Sequence, residues 1–358
     1  MTTSAPVTPE RIMQFAWGYV PPLVLEAAVR HRVFDVLDGG PKTITQVQKE
    51  TGASERGLTA VMNALVGMGF LAKDKQGLFS LTPESSAFLV STKPSFQGGF
   101  LRHASEQLIP KWLHLNKIVE TGRPETSVNL EGAGSDFFQR FVVDIFPLSY
   151  PAAQTLSRHL SANGSAGPVR VLDLAAGSGV WSIALAQGAE QVTVTVVDWP
   201  EVIPVTRKTV GKFGLAERYS FIAGDLLQVD FGSGHTVATL GHILHSEGRD
   251  RSRELLKKTF QALAPGGTIA VAEFLVNADR TGPLNGLFFA LNMLVNTDSG
   301  DTYSFEEISG WLQEAGFTTG GAGSVAADSR HEAVRVWSCR LLVQGQGERL
   351  RMTRRRRS

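Results

Sequence analysis

The sequence has very little cysteine: Cys339 is the only one in 358 residues. A disulfide within the chain is therefore excluded, and no cysteine or histidine pair has the spacing of a zinc site, so we expect a protein of a reducing compartment without a structural metal. The chain also lacks an excess of charge, because 35 basic and 34 acidic residues give a formal net charge of +1. This balance gives no overall electrostatic reason to expect nucleic acid or a membrane surface as a partner.

Long apolar runs are the second absence. No run reaches the roughly 18 residues of a membrane span, and the N-terminus "MTTSAPVTPERIMQ" lacks the apolar segment of a signal peptide. We therefore expect a cytoplasmic protein. A hydrophobic content of 42% and a charged content of 19% are typical of a soluble globular protein, and the length predicts about two domains. At the end of the chain, "RLRMTRRRRS" predicts a basic, disordered tail over residues 346–358.

The first hundred residues are predicted to be mostly helical. Apolar residues recur at helical spacing over residues 11–37, with an interruption expected at Pro21–Pro22. The segment "TITQVQKETGASERGLTAVMNALVGMGFLAKDKQGLFSLTP" then predicts a helix, a turn at Gly52, a helix begun by Ser54 and two short strands, which is the order of a winged helix. Winged helices serve DNA binding or dimerisation. The second helix has one arginine and no lysine, which provides few phosphate contacts, so residues 1–100 are interpreted as a dimerisation domain.

The rest of the chain has two parts with different predicted secondary structure. Residues 101–160 predict connecting helices, rich in aromatic residues, that contribute to a substrate pocket. Over residues 161–345, β-branched strands such as "VRVLDLAAG", "QVTVTVVD" and "GGTIAVAEFLV" alternate with helices. This alternation predicts an α/β fold with a Rossmann-like, doubly wound parallel sheet. Ligands of such sheets bind beyond the carboxyl ends of the strands.

Three acidic residues lie where predicted strands end: Asp173, Asp198 and Asp225. The first is followed by Gly177 and Gly179, whose missing Cβ atoms let the backbone approach a ligand closely. A pyrophosphate site has the spacing G-x-G-x-x-G, but here a serine replaces the third glycine and no basic residue follows. The turn therefore suits a nucleoside that carries a cation and an amine in place of phosphates, which describes S-adenosylmethionine (SAM).

Six segments, in their order and spacing, resemble one family. They are "VLDLAAGSG", "VVDWP", "GDLL", "ILH", "ALAPGGTIAVAEFLV" and "YSFEEISGWLQEAGF". Residues 10 to about 320 look like the two-domain, SAM-dependent small-molecule O-methyltransferases, which include caffeate and hydroxyindole O-methyltransferases and bacterial natural-product enzymes. The resemblance implies an N-terminal winged-helix dimerisation domain, a homodimer, and SAM as methyl donor with S-adenosylhomocysteine (SAH) as its product. It also implies no metal, no nucleic-acid or membrane partner, and a small aromatic or polyketide-like acceptor of secondary metabolism.

The resemblance further implies roles for individual residues. His245 falls where the family has its general base, and Glu273 falls where the family has the acid that holds the histidine ring. The residues expected at the cofactor are Asp173, Ala175, Gly177, Gly179, Asp198, Trp199, Asp225, Leu226 and His242. The candidate substrate-binding residues are Phe141, Phe289, Asn292 and Met293. The chain departs from plant members at Gly241, where they have a lysine, at Ser246 and Glu247, where they have Asp and Trp, and at Thr302, the position of a second acid.

The predicted activity is methyl transfer from SAM to a hydroxyl of a small aromatic metabolite. A histidine with an ordinary pKa of about 6.5 can accept the phenol proton, and a carboxylate on its other ring nitrogen fixes the tautomer. His242 is expected beside the cofactor, in a stacking or structural role. Sequence alone leaves two alternatives: an N- or C-methyltransferase or other diverted chemistry on the same fold, and a ligand-sensing DNA-binding regulator, which the poorly basic helix disfavours.

Overall fold

The computed structural model of the protein describes residues 7–128, 135–162, 167–318, 324–326 and 333–338. Cys339 and the predicted basic tail, residues 346–358, lie outside these described residues. The described elements form a mostly helical N-terminal part, a set of connecting helices and a seven-stranded sheet with flanking helices. The predicted fold class is therefore confirmed.

Two short helices come first, α1 (Glu10–Ala16) and α2 (Val20–Arg30). The break between them lies before Pro21–Pro22 and not at these prolines as expected, because proline fits the first turn of a helix, where the backbone N–H has no intrahelical partner. The two helices and their connection form a 21-residue segment, Glu10–Arg30, in which an 18-residue window has a mean hydropathy of 1.2. By length and composition alone, this segment is long and apolar enough to cross a membrane. This segment corrects the expectation that no stretch passes such a test. It is not one continuous helix, since the two helices have 7 and 11 residues and a span needs about 20.

The rest of the N-terminal part follows the predicted order of elements. Gly52 ends one helix in the left-handed conformation, with φ 72°, and Ser54 Oγ caps the next helix by accepting the N–H of Gly57. Apolar side chains of these elements form a separate core around the fully buried Phe34 and Phe79. The elements are α3 (Val33–Asp38), α4 (Ile44–Thr51), α5 (Glu55–Gly67), the antiparallel strands β1 (Leu71–Lys73) and β2 (Phe79–Leu81), and α6 (Pro83–Phe88).

The connecting helices carry a group of aromatic rings on one face. Phe137, Phe138 and Phe141 contact one another, with ring centroids 5.1 to 6.2 Å apart. A rare π-helix interrupts the first of these helices. The elements are α7 (Gly98–His103), the π-helix (Ala104–Leu108), α8 (Ile109–Trp112), α9 (Leu115–Thr121), α10 (Ser135–Asp144) and α11 (Phe146–Ala162).

The C-terminal part is a seven-stranded sheet with helices packed on both faces. Its strands are β3 (Val169–Leu174), β4 (Val192–Asp198), β5 (Tyr219–Ala223), β6 (His235–Gly241), β7 (Leu263–Glu273), β10 (Ser324–Ala326) and β11 (Ala333–Ser338). Its helices are α12 (Val180–Gly188), α13 (Ile203–Lys212), α14 (Leu244–Ala262), α15 (Leu284–Asn296) and α16 (Phe305–Ala315). The strand order is β10-β11-β7-β6-β3-β4-β5, in which β3 to β7 are parallel and the last two strands are antiparallel. Two further short strands, β8 (Leu275–Val276) and β9 (Tyr303–Ser304), pair with each other.

The strand order reverses between β3 and β6. From β3 the chain moves outward to β4 and β5, and it returns to the other side of β3 as β6. Such a reversal leaves a crevice beyond the carboxyl ends of the two central strands. The glycine turn follows β3 at this place, and the segment with His242 and His245 follows β6. The topology therefore brings the predicted site residues to one edge of the sheet.

Candidate active site

A cavity of about 720 Å³ lies at this edge. It extends from the glycine turn after β3 to the connecting helices and α15. Of the predicted cofactor residues, seven line it: Ala175, Gly177, Asp198, Trp199, Asp225, Leu226 and His242. The four predicted substrate residues line it as well: Phe141, Phe289, Asn292 and Met293. His245 is in the lining, and Glu273 lies behind it.

The glycine turn brings backbone and a buried carboxyl together. Ala175 and Gly177 have positive φ angles of 50° and 56°, the first in a conformation that residues other than glycine rarely adopt, as is common at functional sites. Asp198 accepts the N–H groups of Gly177 and Trp199, each at 2.7 Å. Burial raises the pKa of Asp198 to about 6, although these two N–H groups oppose the rise. This carboxyl, at the end of β4, is suited to accept the hydroxyls of a ribose.

Asp173 and Gly179 are the two predicted cofactor residues outside the cavity lining. Asp173 is 1% exposed, and its Oδ1 accepts the hydroxyl of Thr239 on the neighbouring strand at 2.6 Å. Burial raises the pKa of Asp173. Gly179 caps α12 with a φ of 78°. In this arrangement Asp173 links β3 to β6 beneath the turn, and Gly179 shapes the turn.

A charged group that we call the acidic wall borders the cavity beyond β5. It consists of Asp225, Glu247 and Arg251. Arg251 Nε donates to Glu247 Oε2 at 2.6 Å, and its Nη2 donates to Asp225 Oδ2 at 2.8 Å. Burial raises the pKa of Glu247, and the Arg251 guanidinium opposes this rise. Arg251 thus orients two carboxylates that line the cavity, one of them at the position where plant members have an aromatic residue.

Trp181 explains why residue 241 is a glycine. A Cβ atom on Gly241 would lie 1.9 Å from Trp181 Nε1, so the lysine of plant members does not fit here unless the indole moves. His242 follows with a φ of 63°, and its N–H donates to Ala272 O at 2.9 Å. The His242 ring packs against Phe274, with centroids 5.0 Å apart. This packing is of the kind expected for a stacking or structural residue beside the cofactor.

His245 and Glu273 form a buried pair. His245 Nδ1 lies 2.7 Å from Glu273 Oε2, and both residues are less than 10% exposed. Glu273 Oε1 accepts the backbone N–H groups of Leu244 at 2.8 Å and of His245 at 3.3 Å. β6 ends at Gly241, so His245 lies beyond the strand, in the first turn of α14. The N–H of Asp301 also binds the His245 carbonyl, at 2.9 Å, so ring and backbone are both fixed.

The charge of the pair follows from its surroundings. Burial alone raises the pKa of Glu273, but the His245 ring, His242 and the backbone N–H of His245 together hold it below the usual value. Glu273 is therefore a carboxylate at neutral pH, and a carboxylate only accepts hydrogen bonds, so His245 Nδ1 carries the proton. Thr302, at the position of the second family acid, instead donates its hydroxyl to Gly286 O at 3.2 Å. A single carboxylate thus orients this histidine within the described residues.

The donor atoms of His242, His245 and Glu273 all lie within 4.8 Å of one another, a separation that a metal ion can bridge. Both Glu273 oxygens already accept hydrogen bonds, from the His245 ring and from two backbone N–H groups. Metal binding would have to break the 2.7 Å contact. We therefore interpret the group as a histidine–carboxylate pair with a second histidine beside it.

Several lining residues were not predicted from the sequence, among them His103, Trp112, Trp181 and Phe274. Trp112 Nε1 donates to Asn292 Oδ1 at 3.1 Å and so connects α8 to α15. The sequence could have indicated Trp181 and Phe274 as lining residues. Trp181 comes two residues after the glycine turn, and Phe274 directly follows Glu273. The sequence gives no such indication for His103 and Trp112, because the spacing of apolar residues in a helix does not reveal where its register changes.

Two family models match the chain. An O-methyltransferase domain matches residues 157–318, and an O-methyltransferase dimerisation domain matches residues 13–91. The 3-hydroxy-5-methyl-1-naphthoate 3-O-methyltransferase of Streptomyces sahachiroi is 27% identical over 332 residues, which cover 89% of this chain and 94% of that protein. The tetracenomycin polyketide synthesis 8-O-methyl transferase TcmO of Streptomyces glaucescens is also 27% identical, over 87% of this chain and 91% of that protein. The structure of human N-acetylserotonin methyltransferase in complex with SAM has the same fold, with a TM-score of 0.81, 23% identity and coverage of 95% of this chain and 100% of that one.

The doubly wound sheet and the match to an O-methyltransferase domain define a SAM-dependent methyltransferase. Within this class, the chain belongs to the O-methyltransferase family that carries an N-terminal dimerisation domain. The expected family and SAM dependence are thereby confirmed. The Asp198 carboxyl and the two carboxylates of the acidic wall offer hydrogen-bond acceptors of the kind that the hydroxyl and amino groups of this cofactor require.

Proposed function

We propose that the enzyme methylates a hydroxyl of a small, aromatic, polyketide-like metabolite, with His245 as the general base and Glu273 as the residue that orients it. The observation that carries the proposal is the 2.7 Å contact between His245 Nδ1 and Glu273 Oε2 at the cavity wall. The acceptor class is supported by two relatives, one named for a naphthoate and the other for polyketide synthesis.

The chemistry follows from the tautomer. SAM, when bound, supplies an electrophilic methyl group on a sulfonium. With its proton on Nδ1, the His245 ring presents the lone pair of Nε2 to the acceptor hydroxyl and takes the hydroxyl proton as the new bond forms. Glu273 then stabilises the imidazolium. A positioned base contributes about 10²–10⁴-fold to the rate.

The walls around His245 support a planar, apolar acceptor. Phe289 meets the His245 ring edge-on, with centroids 4.8 Å apart, and packs against Phe274 at 4.1 Å. Met293 and Phe141 add apolar surface. Aromatic and thioether groups of this kind contact a flat ring on its faces and edges, which holds its hydroxyl in line with the methyl group.

Measurements of turnover and of SAH binding distinguish a loss of the base from damage to the cofactor site. We expect the wild type to transfer labelled methyl from SAM to a member of a panel of naphthols, and we expect His245→Ala to lose most turnover while SAH binding by calorimetry stays unchanged. His31→Ala, at an exposed position, is the matched control. Equal turnover of the His245 variant contradicts the base assignment. Methylation of naphthylamines but not naphthols would show that the acceptor is an amine.

An exposed apolar surface supports the homodimer. Ile12, Phe15, Trp17 and Tyr19 are 59–72% exposed, although they belong to a run that is apolar enough to be buried. We propose that this surface is covered by a second copy of the chain, with residues 1–100 as a winged-helix dimerisation domain. Sedimentation velocity should give a dimer for the wild type and a monomer for Trp17→Glu, with Lys75→Glu as the control. A monomeric wild type contradicts the proposal.

The remaining division of the chain also stays a proposal. Residues 101–160 contribute to the substrate pocket, and residues 161–345 form the SAM-binding domain. The O-methyltransferase match over residues 157–318 supports the second part. We propose a cytoplasmic location, which fractionation of cells that express the protein would test by its recovery in the soluble fraction.

A further inference from the structure

Besides His242 and His245, the cavity lining has a third histidine, to which the proposed function gives no role. His103 is 4% exposed, lines the same cavity as His245 and lies at the end of α7, on the connecting-helix side. Its ring packs against Phe141 and Phe137, with centroids 4.4 and 5.2 Å away. A polar ring at this place, among aromatic side chains, calls for a partner, because buried polar atoms normally have one.

The helix around His103 has an unusual register. The helix α7 ends at His103, a π-helix spans Ala104–Leu108, and α8 continues to Trp112. In a regular α-helix, Gln107 would occupy the cavity-facing place one turn after His103. With the extra residue of the π-turn, Leu108 and then Trp112 line the cavity instead. Such turns are rare and frequent at functional sites.

The same turn fixes the His103 ring. Gln107 Oε1 lies 2.5 Å from His103 Nδ1. A carboxamide oxygen only accepts hydrogen bonds, so Nδ1 carries the proton and Nε2 keeps a lone pair. Burial lowers the pKa of His103, more than Gln107 and the nearby Asp144 raise it, and Lys111 lowers it further. The ring is therefore neutral at neutral pH, with Nε2 as an acceptor.

We propose that His103 Nε2 accepts a hydrogen bond from a second hydroxyl of the aromatic acceptor, distant from the hydroxyl that is methylated. The inference rests on the proposed function and narrows its substrate class to fused aromatic molecules with at least two hydroxyls. His103 is a substrate-binding residue in this account and takes no part in proton removal. Phe137 and Phe141, which pack against the His103 ring, give this part of the lining an apolar surface. An acceptor with the second hydroxyl is preferred because it pairs with His103.

The test compares three probes on the SAH complex, in which no reaction occurs. They are 1-naphthol, the dihydroxynaphthalene isomers and the monomethyl ethers of these isomers. For the wild type we expect the best dihydroxynaphthalene to bind about tenfold more tightly than 1-naphthol, the usual gain from one good hydrogen bond. Its monomethyl ether should lose this gain, because a methoxy oxygen cannot donate to Nε2. A methyl ether that binds as tightly as the diol contradicts the proposed donor and acceptor roles.

Three variants separate the hydrogen bond from packing. His103→Phe keeps an aromatic ring but removes Nε2, so the variant should bind the diol no more tightly than 1-naphthol. Gln107→Glu keeps an acceptor for Nδ1 and should keep the preference, whereas Gln107→Met should weaken it. His31→Phe, at an exposed site, is the control. A His103→Phe variant that binds SAH normally and keeps the full preference overturns the proposal.

The tautomer can be measured without any acceptor. In the ¹⁵N-labelled SAH complex, long-range nitrogen–proton spectra should show His103 protonated on Nδ1, and a ring protonated on Nε2 overturns the proposal. These readouts do not depend on turnover. If His245→Ala kept full activity, the proposed base would fail while the His103 preference would stand. If the enzyme methylated naphthols but showed no preference for the diol, the proposal for His103 would be refuted while the proposed function would stand.

Discussion

The substitution Glu273→Gln tests how the His245 ring is held. A glutamine carbonyl can still accept the N–H groups of Leu244 and His245, which Glu273 Oε1 accepts at 2.8 and 3.3 Å. Its amide NH₂ then faces Nδ1, where Oε2 now lies at 2.7 Å. Nδ1 must accept this hydrogen bond, so the ring proton moves to Nε2 and the ring can no longer act as a base.

The expected loss follows from this change of tautomer. A positioned base contributes about 10²–10⁴-fold, and the corresponding Asp→Asn change in a Ser–His–Asp triad costs about 10⁴-fold in kcat. We therefore expect kcat/KM to fall by about 10²–10⁴-fold, which is about 3–5 kcal/mol at 1.36 kcal/mol for each factor of ten. SAH binding should stay unchanged, because the backbone contacts remain and Glu273 does not line the cavity.

Initial rates on 1-naphthol from pH 6.5 to pH 10 provide the assay. The deficit of Glu273→Gln should shrink as the pH approaches the phenol pKa of about 10, because an ionised phenol no longer needs a base. Glu306→Gln, on the exposed face of α16, is the control. A variant with wild-type kcat/KM at neutral pH refutes the reasoning, and so does a deficit that is the same at every pH.

Three other substitutions test the cofactor side of the cavity. Burial raises the pKa of Asp198 to about 6, and the ribose is expected to bind the ionised carboxylate. The affinity for SAH, measured by calorimetry, should therefore fall by up to about tenfold for each pH unit below 6. Asp198→Asn should show no such pH dependence. Gly241→Ala places a Cβ 1.9 Å from Trp181 Nε1 and should cost about 1–3 kcal/mol, seen as a lower Tm by scanning calorimetry, whereas Gly211→Ala has open space and should not. Arg251→Met leaves the two carboxylates of the acidic wall without their cation, and we expect the Kd for SAH to rise about tenfold. An unchanged Kd would mean that the acidic wall does not contact the cofactor.

Much of the fold could be predicted because its signals are local. The Gly52 turn and the Ser54 cap follow from the conformations that these residues favour. The alternation of buried strands and helices likewise predicts the parallel sheet. The break before Pro21 was misplaced, since proline marks a helix start as readily as a helix end.

The site was partly predictable, for a different reason. The pairing of His245 with Glu273 came from a family resemblance, while their local sequence shows only a histidine and an acid 28 positions apart. Residues that depend on tertiary register escaped prediction. The cavity-facing side of His103 depends on a π-turn, and the glycine at position 241 depends on the Trp181 indole.

The acceptor pKa tests the central claim most directly. Methyl transfer by the wild type and by His245→Ala can be compared at neutral pH on two acceptors of similar shape: a naphthol, and a nitro-substituted naphthol that is already largely ionised. If His245 removes the hydroxyl proton, its loss should cost about 10²–10⁴-fold on the first acceptor and far less on the second. An equal loss on both acceptors would contradict a general base at His245.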